Sequence, residues 1–248
     1  MSHPLLTLDG IHHGYGARDV LRDVSCEIGP GITALIGVNG AGKSTLLSIA
    51  SGGVRPRQGA VAVGGHDLLH GRARRQGLGK VAFMPQDATF PPRMTAREIV
   101  EYVDWMRGAP RSGGRARALQ ALDRVRLADR AESRFGSLSG GMQRRVCLAQ
   151  AIVSAPEVLV LDEPSTGLDP EQRHVMVQLI GTLAGAVVLS SHVMEDVADL
   201  ADRVLVLDDG AITFDGDVAG LRALAPVPEA DRAAEHGFLA VLSAQRSA

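Results

Sequence analysis

The stretch Gly37-Val38-Asn39-Gly40-Ala41-Gly42-Lys43-Ser44-Thr45 decides the fold. It follows Ile32 to Ile36, a continuously apolar segment that predicts a strand buried on both faces. It precedes a helical pattern from Ser44 to Ala50, which ends at Gly52-Gly53. A glycine loop between a strand and a helix is the context that a phosphate loop requires. Its glycines let successive backbone N–H groups and the helix N-terminus converge on phosphate oxygens.

The residue types in this loop predict a nucleotide and a magnesium ion as ligands. Lys43 would reach the β- and γ-phosphates of the nucleotide, and the Ser44 hydroxyl would bind Mg²⁺. We expect the following loop positions to bind the nucleotide: Gly37, Asn39, Gly40, Ala41, Gly42, Lys43, Ser44 and Thr45.

Two acids end the apolar segment Val158 to Leu161. This places Asp162 and Glu163 at the carboxyl edge of a parallel sheet, where such sheets bind their ligands. Asp162 suits a Mg²⁺ shell, and Glu163 can orient or deprotonate an attacking water. An acidic pair after a strand is about as often a solvated loop, but the phosphate loop in the same chain favours the catalytic interpretation.

The remaining pattern predicts a core interrupted by a helical insertion. The chain has 248 residues, of which 45% are hydrophobic and 22% charged, so it is globular and large enough for one to two domains. A capping box at Thr95 to Glu98 starts a helix with an apolar stripe of Ile99, Val100, Val103 and Met106. Further helices are predicted over Arg115 to Leu127 and from Ser139 to before Pro156. We therefore expect a nucleotide-binding core over 1–87 and 155–218, a helical subdomain over 88–154 and a tail over 219–248.

Composition excludes several classes of protein. The apolar stretches are far shorter than the roughly 18 residues of a membrane-spanning helix, and the first residues carry no secretory pattern, so we expect a cytoplasmic protein. The 26 basic and 28 acidic residues give a net charge of −2, which argues against nucleic acid as a partner. Cys26 and Cys147 are expected in the core, and His12 and His13 would point to opposite faces of a strand rather than form a metal site.

Leu138-Ser139-Gly140-Gly141-Met142-Gln143 makes the pattern specific to one family. Together with Gln86, the Asp162-Glu163 pair, Ser165 to Asp169 and His192, this stretch resembles the ATP-binding-cassette (ABC) ATPases. Among them the chain is most similar to the separate ATPase subunits of bacterial export systems of the drug-resistance type. The resemblance runs from about Leu5 to Leu224, and its six motifs occur in the family's order.

The resemblance implies a fold and roles for individual residues. The fold would be the α/β fold of an ABC-type P-loop NTPase: a mixed-sheet RecA-like core, an antiparallel β subdomain and an inserted α-helical subdomain. Tyr15 would stack on adenine. Gln86 would touch Mg²⁺ or the attacking water and move with the insertion, which gives the metal set Ser44, Gln86 and Asp162. His192 would hydrogen-bond the γ-phosphate. The catalytic set is then Glu163, His192, Lys43 and Gln86.

The resemblance also implies that the active site is shared between two cassettes. Ser139, Gly140 and Gly141 open a helix whose free N–H groups would cap the nucleotide of a second cassette, identical or different. Asp169 is also expected to bind nucleotide. Met142 departs from the family's commonest residue, Gln, and we expect altered packing there rather than loss of hydrolysis.

The implied function is ATP hydrolysis that powers transport, most simply export, through a separate transmembrane permease at the inner face of the membrane. The groove for the permease would lie near Gln86 to Arg93 and Glu98 to Met106. An importer ATPase is one alternative, and a translation-associated or DNA-repair cassette is another. The 94 residues between Ser44 and Ser139 contain Pro110 and Gly113-Gly114, which leaves no room for the coiled coil of the repair type. Translation types usually carry two cassettes. A pure binding module is disfavoured because each catalytic motif is present.

Overall fold

Two β-sheets form the centre of the molecule in the computed structural model, which describes residues 4–227 and 232–246. The smaller sheet is antiparallel, in the order β2-β1-β4-β5. The larger sheet has the order β10-β9-β3-β8-β7-β6, with β10 antiparallel and the other strands parallel. The strands are β1 Leu6–Tyr15, β2 Arg18–Ile28, β3 Gly31–Ile36, β4 Gln58–Val63, β5 His66–Asp67, β6 Val81–Met84, β7 Val158–Leu161, β8 Ala186–Ser190, β9 Arg203–Asp208 and β10 Ala211–Gly216.

Nine α-helices are found in the described part of the chain, and they lie on both sides of the larger sheet. They are α1 Lys43–Ala50, α2 Gly71–Lys80, α3 Ala96–Met106, α4 Gly114–Arg124, α5 Gly140–Ile152, α6 Pro170–Gly181, α7 Met194–Leu200, α8 Val218–Ala223 and α9 Ala233–Arg246. The sequence pattern did not predict α2, β5 or α7. A mixed sheet, an antiparallel sheet and inserted helices are the fold class that the resemblance implies.

The central strands are continuously apolar because their two faces enter two different cores. In β7, Val158 and Val160 pack with α1 and the smaller sheet. Leu159 and Leu161 pack in the other core, with the helices of the insertion. Side chains alternate between the faces of a strand, so a strand covered on both sides needs apolar residues at every position. This arrangement fixes β7 firmly and therefore also fixes the two acids that follow it.

The insertion begins with the predicted capping box. The Glu98 N–H donates to Thr95 Oγ1, and the Thr95 N–H donates to the Glu98 carboxylate, at 3.1 and 2.8 Å. The predicted stripe is wrong at its last position, because Met106 is 59% exposed. The buried face of α3 instead reaches Asp104, whose carboxylate pairs with Arg117 of α4 at 2.7 Å.

The predicted tail contains two packed helices. Leu221 of α8 is fully buried, and Val241 and Leu242 of α9 join the core on the helical side of the larger sheet. The end of the tail prediction, at 247–248, lies outside the described residues, as does 228–231. No helix in the described part of the chain is long and apolar enough to cross a membrane.

Candidate functional site

A cavity of about 480 Å³ opens at the carboxyl edge of the larger sheet. Its walls come from the segments that follow β3, β6, β7 and β8, since the carboxyl ends of parallel strands meet at one edge. The cavity is lined by Asn39, Gly40, Gly42, Lys43, Ser44, Thr45, Gln86, Glu163 and His192. The structure thus brings together four of the motifs that the sequence singled out.

Lys43 lies across the phosphate loop at the start of α1. Its Nζ donates to the carbonyl oxygens of Gly37 and Val38 at 2.7 and 3.1 Å. Burial lowers the pKa of the Lys43 ammonium, and the nearby Glu163 and Asp162 oppose that shift. The first N–H groups of α1 have no acceptor within the helix. The ammonium and these N–H groups together form a site for phosphate oxygens.

Gly37 and Ala41 shape the loop rather than line the cavity. A Cβ on Gly37 would lie 2.2 Å from the carbonyl oxygen of Leu207, so only glycine lets β9 approach the loop this closely. Ala41 is buried, and its N–H donates to the Val38 carbonyl at 3.2 Å. Their predicted contact with the nucleotide stays a prediction.

Ser190 joins the two acids that follow β7. Its Oγ donates to Asp162 Oδ1 at 2.6 Å and accepts the Glu163 N–H at 2.8 Å. Asp162 is buried, and Ser190 is fully enclosed. Ser190 was not predicted as a site residue, because it ends the predicted strand Val187 to Ser190 and was counted as part of that strand.

Glu163 is held in a strained backbone conformation at the cavity wall. Its φ of 49° lies in the left-handed region, which costs a residue with a side chain about 1 to 2 kcal/mol. Its Oε2 accepts hydrogen bonds from Thr166 Oγ1 at 2.7 Å and from His192 Nδ1 at 2.6 Å. Among the described residues none donates to Oε1, so this oxygen is the one able to take a proton from water.

His192 lines the cavity, which agrees with its predicted role as a γ-phosphate ligand. Its contact with Glu163 was not predicted. The imidazole is 53% exposed, whereas the Glu163 side chain is 12% exposed. The histidine can therefore turn toward a phosphate while the carboxylate keeps its hydrogen bond to Thr166. Thr166 lies within the predicted motif Ser165 to Asp169, although no role was assigned to it from the sequence.

Besides Gly37 and Ala41, five predicted nucleotide ligands do not line this cavity. Tyr15 is 57% exposed at the end of β1, and its ring meets that of His13 edge-on with centroids 5.0 Å apart. Ser139 Oγ accepts the Met142 N–H at 3.3 Å and caps α5, followed by Gly140 and Gly141. Asp169 caps α6 by accepting the Gln172 N–H at 2.9 Å. Their roles at a nucleotide therefore remain predictions.

The donor atoms of the site fit a magnesium nucleotide. Ser44 brings a hydroxyl and Gln86 a side-chain amide to the cavity lining, whereas the Asp162 carboxylate lies buried outside that lining, next to Glu163; all three are oxygen ligands of the kind that Mg²⁺ prefers. Gly40 lines the cavity, and a Cβ at this position would meet nothing within 4 Å, so the loop is not crowded there. The cradle can thus admit a phosphate chain next to the Lys43 ammonium.

Removal of the Ser190 hydroxyl is expected to destabilise the fold. Ser190→Ala would leave the Glu163 N–H and the buried Asp162 carboxylate each short of one partner. We expect the free energy of unfolding to fall by about 1 to 3 kcal/mol, measured by urea denaturation at a constant m value. Ser137→Ala, which removes an exposed hydroxyl bonded to the Arg134 carbonyl, is the control and should change it by less than about 0.5 kcal/mol. Equal effects of the two substitutions would contradict the bridging role.

Comparisons with known proteins agree with this geometry. Residues 21–166 match the family model described as ABC transporter. The linearmycin resistance ATP-binding protein of Bacillus subtilis is 33% identical over 83% of this chain and 67% of its own length. The Nod factor export ATP-binding protein I of Paraburkholderia xenovorans is 33% identical over 90% of this chain and 74% of its own length.

A solved structure has the same fold. It is a dimeric bacterial ABC transporter cassette, 25% identical, with a TM-score of 0.76 over 86% of this chain and 98% of its own. The family model covers more than half of the chain and includes the phosphate loop, Gln86, Ser139 to Gly141 and Glu163. The chain therefore belongs to the ABC transporter family, as an ATP-binding subunit that hydrolyses ATP.

Proposed function

We propose that this chain hydrolyses ATP to power export by a separate transmembrane permease. The observation that supports export is its similarity to proteins named for linearmycin resistance and for Nod factor export. The cavity at the carboxyl edge of the larger sheet is the proposed site of hydrolysis. What the permease carries is a property of that second protein, whose chain forms the path.

Glu163 acts as the general base in this proposal. Its Oε1 takes a proton from the attacking water, while Thr166 keeps its hydrogen bond to Oε2 and fixes the orientation of the carboxylate. Lys43 leaves the Gly37 and Val38 carbonyls and neutralises charge on the phosphates. His192 turns from Glu163 toward the γ-phosphate, and Gln86, which also lines the cavity, touches the water or the metal ion.

Ser44, Gln86 and Asp162 would hold the Mg²⁺ ion. The bound ion would neutralise phosphate charge and orient the phosphate oxygens. Ser190 holds one oxygen of Asp162 in place, which orients the carboxylate for this purpose.

Removal of the metal tests this assignment. Excess EDTA is expected to lower ATP turnover to background because phosphate charge is then left without its largest counterion, and added Mg²⁺ should restore it. Asp162→Asn should raise the Mg²⁺ concentration for half-maximal turnover by about 10-fold or more. Asp199→Asn, on α7 and outside the cavity, is the control with an unchanged requirement. An unchanged requirement in Asp162→Asn would remove Asp162 from the metal shell.

A second cassette would complete each site. Ser139, Gly140 and Gly141 begin α5 but do not line the cavity of their own chain. Their exposed N-terminal end would face the γ-phosphate bound by a partner cassette, so that two nucleotides lie between two chains. Tyr15 would stack on adenine, and Asp169 would also contribute to nucleotide binding.

An exposed aromatic surface on α3 supports a membrane partner. Tyr102, Trp105 and Met106 are 49%, 45% and 59% exposed, and Arg111 lies over the Trp105 ring at 5.2 Å. Large apolar side chains grouped on a surface mark a contact with another molecule. This surface falls in the predicted permease groove of Glu98 to Met106, and docking there would place the chain at the inner face of the membrane.

Co-purification tests the transport proposal. Membranes of the native cell are solubilised in detergent, and the tagged chain is expected to recover a polytopic membrane protein. Trp105→Ala combined with Met106→Ala should reduce that recovery, whereas Leu239→Ala, an exposed apolar residue on α9, should not. Co-sedimentation with ribosomes or DNA and no recovered membrane protein would favour a non-transport cassette. Transport into inside-out vesicles distinguishes an exporter from an importer.

A further inference from the structure

Arg144 connects three parts of the site that are far apart in the sequence. It lies on α5, five residues after Ser139, and its guanidinium donates to five backbone carbonyl oxygens. Two of the acceptors follow β6 and three follow β7. The acceptors are Pro85 at 3.2 Å, Gln86 at 2.5 Å, Asp162 at 3.1 Å, Glu163 at 2.7 Å and Pro164 at 3.0 Å.

All three nitrogen atoms of the planar guanidinium donate hydrogen bonds. Nη1 donates to the segment that contains Gln86, and Nε and Nη2 donate to the segment that contains Glu163. A lysine ammonium is a single nitrogen on a flexible stem and cannot span both segments in this way. Burial lowers the pKa of Arg144, but an arginine keeps its charge in proteins, so the hydrogen bonds remain charge-assisted.

The contacts of Arg144 help to stabilise the strained backbone conformation of Glu163. A left-handed residue with a side chain persists only where its surroundings fix it. Here the Glu163 N–H is held by Ser190 and its carbonyl by Arg144, at 2.8 and 2.7 Å. The peptide that follows Glu163 is therefore held by α5, a helix of the insertion, rather than by the core sheet.

We propose that Arg144 is a positioning residue for ATP hydrolysis: it holds the backbones of Gln86 and Glu163 in register with each other and with the helix that Ser139 begins. This inference rests on the proposed roles of Gln86 and Glu163. Arg144 itself acts only through the two residues whose carbonyls it binds. A shift of α5 would move both carbonyls together, so the position of the insertion is transmitted to both walls of the cavity.

Arg145 provides a matched control. It is the next residue on α5 and is buried, whereas Arg144 is half-buried, and its Nη1 donates to the carbonyls of Val125 and Arg126 in the insertion, at 3.3 and 3.1 Å. Lysine at either position keeps the charge and removes the fork. A general weakening of α5 would therefore lower kcat in both lysine variants. Loss of the positioning contacts would lower kcat only in Arg144→Lys.

The test measures kcat and KM for MgATP with the purified full chain. Arg144→Gln is expected to lower kcat by about 10- to 100-fold, the effect of misplacing catalytic groups by about an ångström, with KM changed less than about threefold. Arg144→Lys should lose about 3- to 10-fold and Arg145→Lys less than twofold, while the melting temperatures of the two lysine variants stay similar. Combined with Gln86→Ala, the Arg144→Gln effect should shrink, because the part of that effect that acts through Gln86 is then already lost.

Two results would overturn the inference. One is a kcat of Arg144→Lys within twofold of the unmodified chain, and the other is an equal loss of kcat in Arg145→Lys. Glu163→Gln, measured in parallel, separates this inference from the proposed function. If Glu163→Gln abolishes turnover while the Arg144 variants keep it, only the positioning role fails. If Glu163→Gln keeps turnover, the general-base assignment itself fails.

Discussion

Glu163→Gln is expected to lower ATP turnover by about 100-fold or more, because it removes the proposed general base. Glutamine has the same shape, and its amide oxygen can still accept the hydrogen bonds of Thr166 and His192 at the place of Oε2. The phosphate loop and the Asp162 carboxylate are unchanged. Nucleotide binding should therefore persist while hydrolysis stops, and the chains should accumulate as an ATP-bound dimer.

The measurement combines phosphate release with size-exclusion chromatography and light scattering in MgATP. Glu157→Gln is the control, since Glu157 precedes β7 whereas Glu163 follows it, and Glu157 makes a half-exposed ion pair with Lys80 at 2.9 Å. Surface pairs of this kind contribute little, so this variant should retain turnover and stability. Unchanged turnover in Glu163→Gln would remove Glu163 from the assigned role.

The features that could be predicted from the sequence are those set by residues close together in the chain. The phosphate loop, the strand before it and the capping box of α3 each depend on fewer than about ten neighbouring residues. The resemblance to the ABC ATPases then predicted one nucleotide site for Gln86, Glu163 and His192. The described cavity contains them.

The features that escaped prediction depend on partners far along the chain. Arg144 binds carbonyls at Gln86 and Glu163, which lie 58 and 19 residues away, and no side-chain pattern marks a carbonyl acceptor. Met106 was misplaced for a related reason: apolar spacing cannot show that a buried ion pair between Asp104 and Arg117 takes the inward position.

Gly140→Asp is expected to lower ATP turnover by about 100-fold or more without loss of stability. A Cβ at Gly140 meets nothing within 4 Å in the single chain, so the side chain has room. An acid in the first turn of α5 is favourable for the helix dipole, by about 0.3 to 1 kcal/mol. The expected loss comes from placing a negative charge where the γ-phosphate of the partner cassette would approach. Thermal melting and binding of a fluorescent ATP analogue to the single chain should both remain unchanged.

Gly141 provides a comparison for Gly140, because a side chain has room at Gly140 but not at Gly141. A Cβ at Gly141 would lie 2.5 Å from Gln172 Oε1 of α6, so Gly141→Ala should lower stability as well as turnover. If the melting temperature of Gly140→Asp falls together with its turnover, the loss of turnover comes from a weakened fold. That result would contradict the proposed contact with a partner's nucleotide.

Mixing two inactive variants then decides whether the site is shared. Lys43→Ala damages the phosphate loop and Gly140→Asp damages the start of α5. In a mixed dimer with shared sites, one site contains both substitutions. The other site contains the unmodified Lys43 of one chain and the unmodified Gly140 of the other, so it is intact. When equal amounts of the two variants pair at random, about half of the dimers are mixed. Each mixed dimer has one intact site out of two, so if the two sites work independently the mixture should regain about a quarter of the normal turnover. If both halves of each site belonged to the same chain, the mixture would stay as inactive as its components.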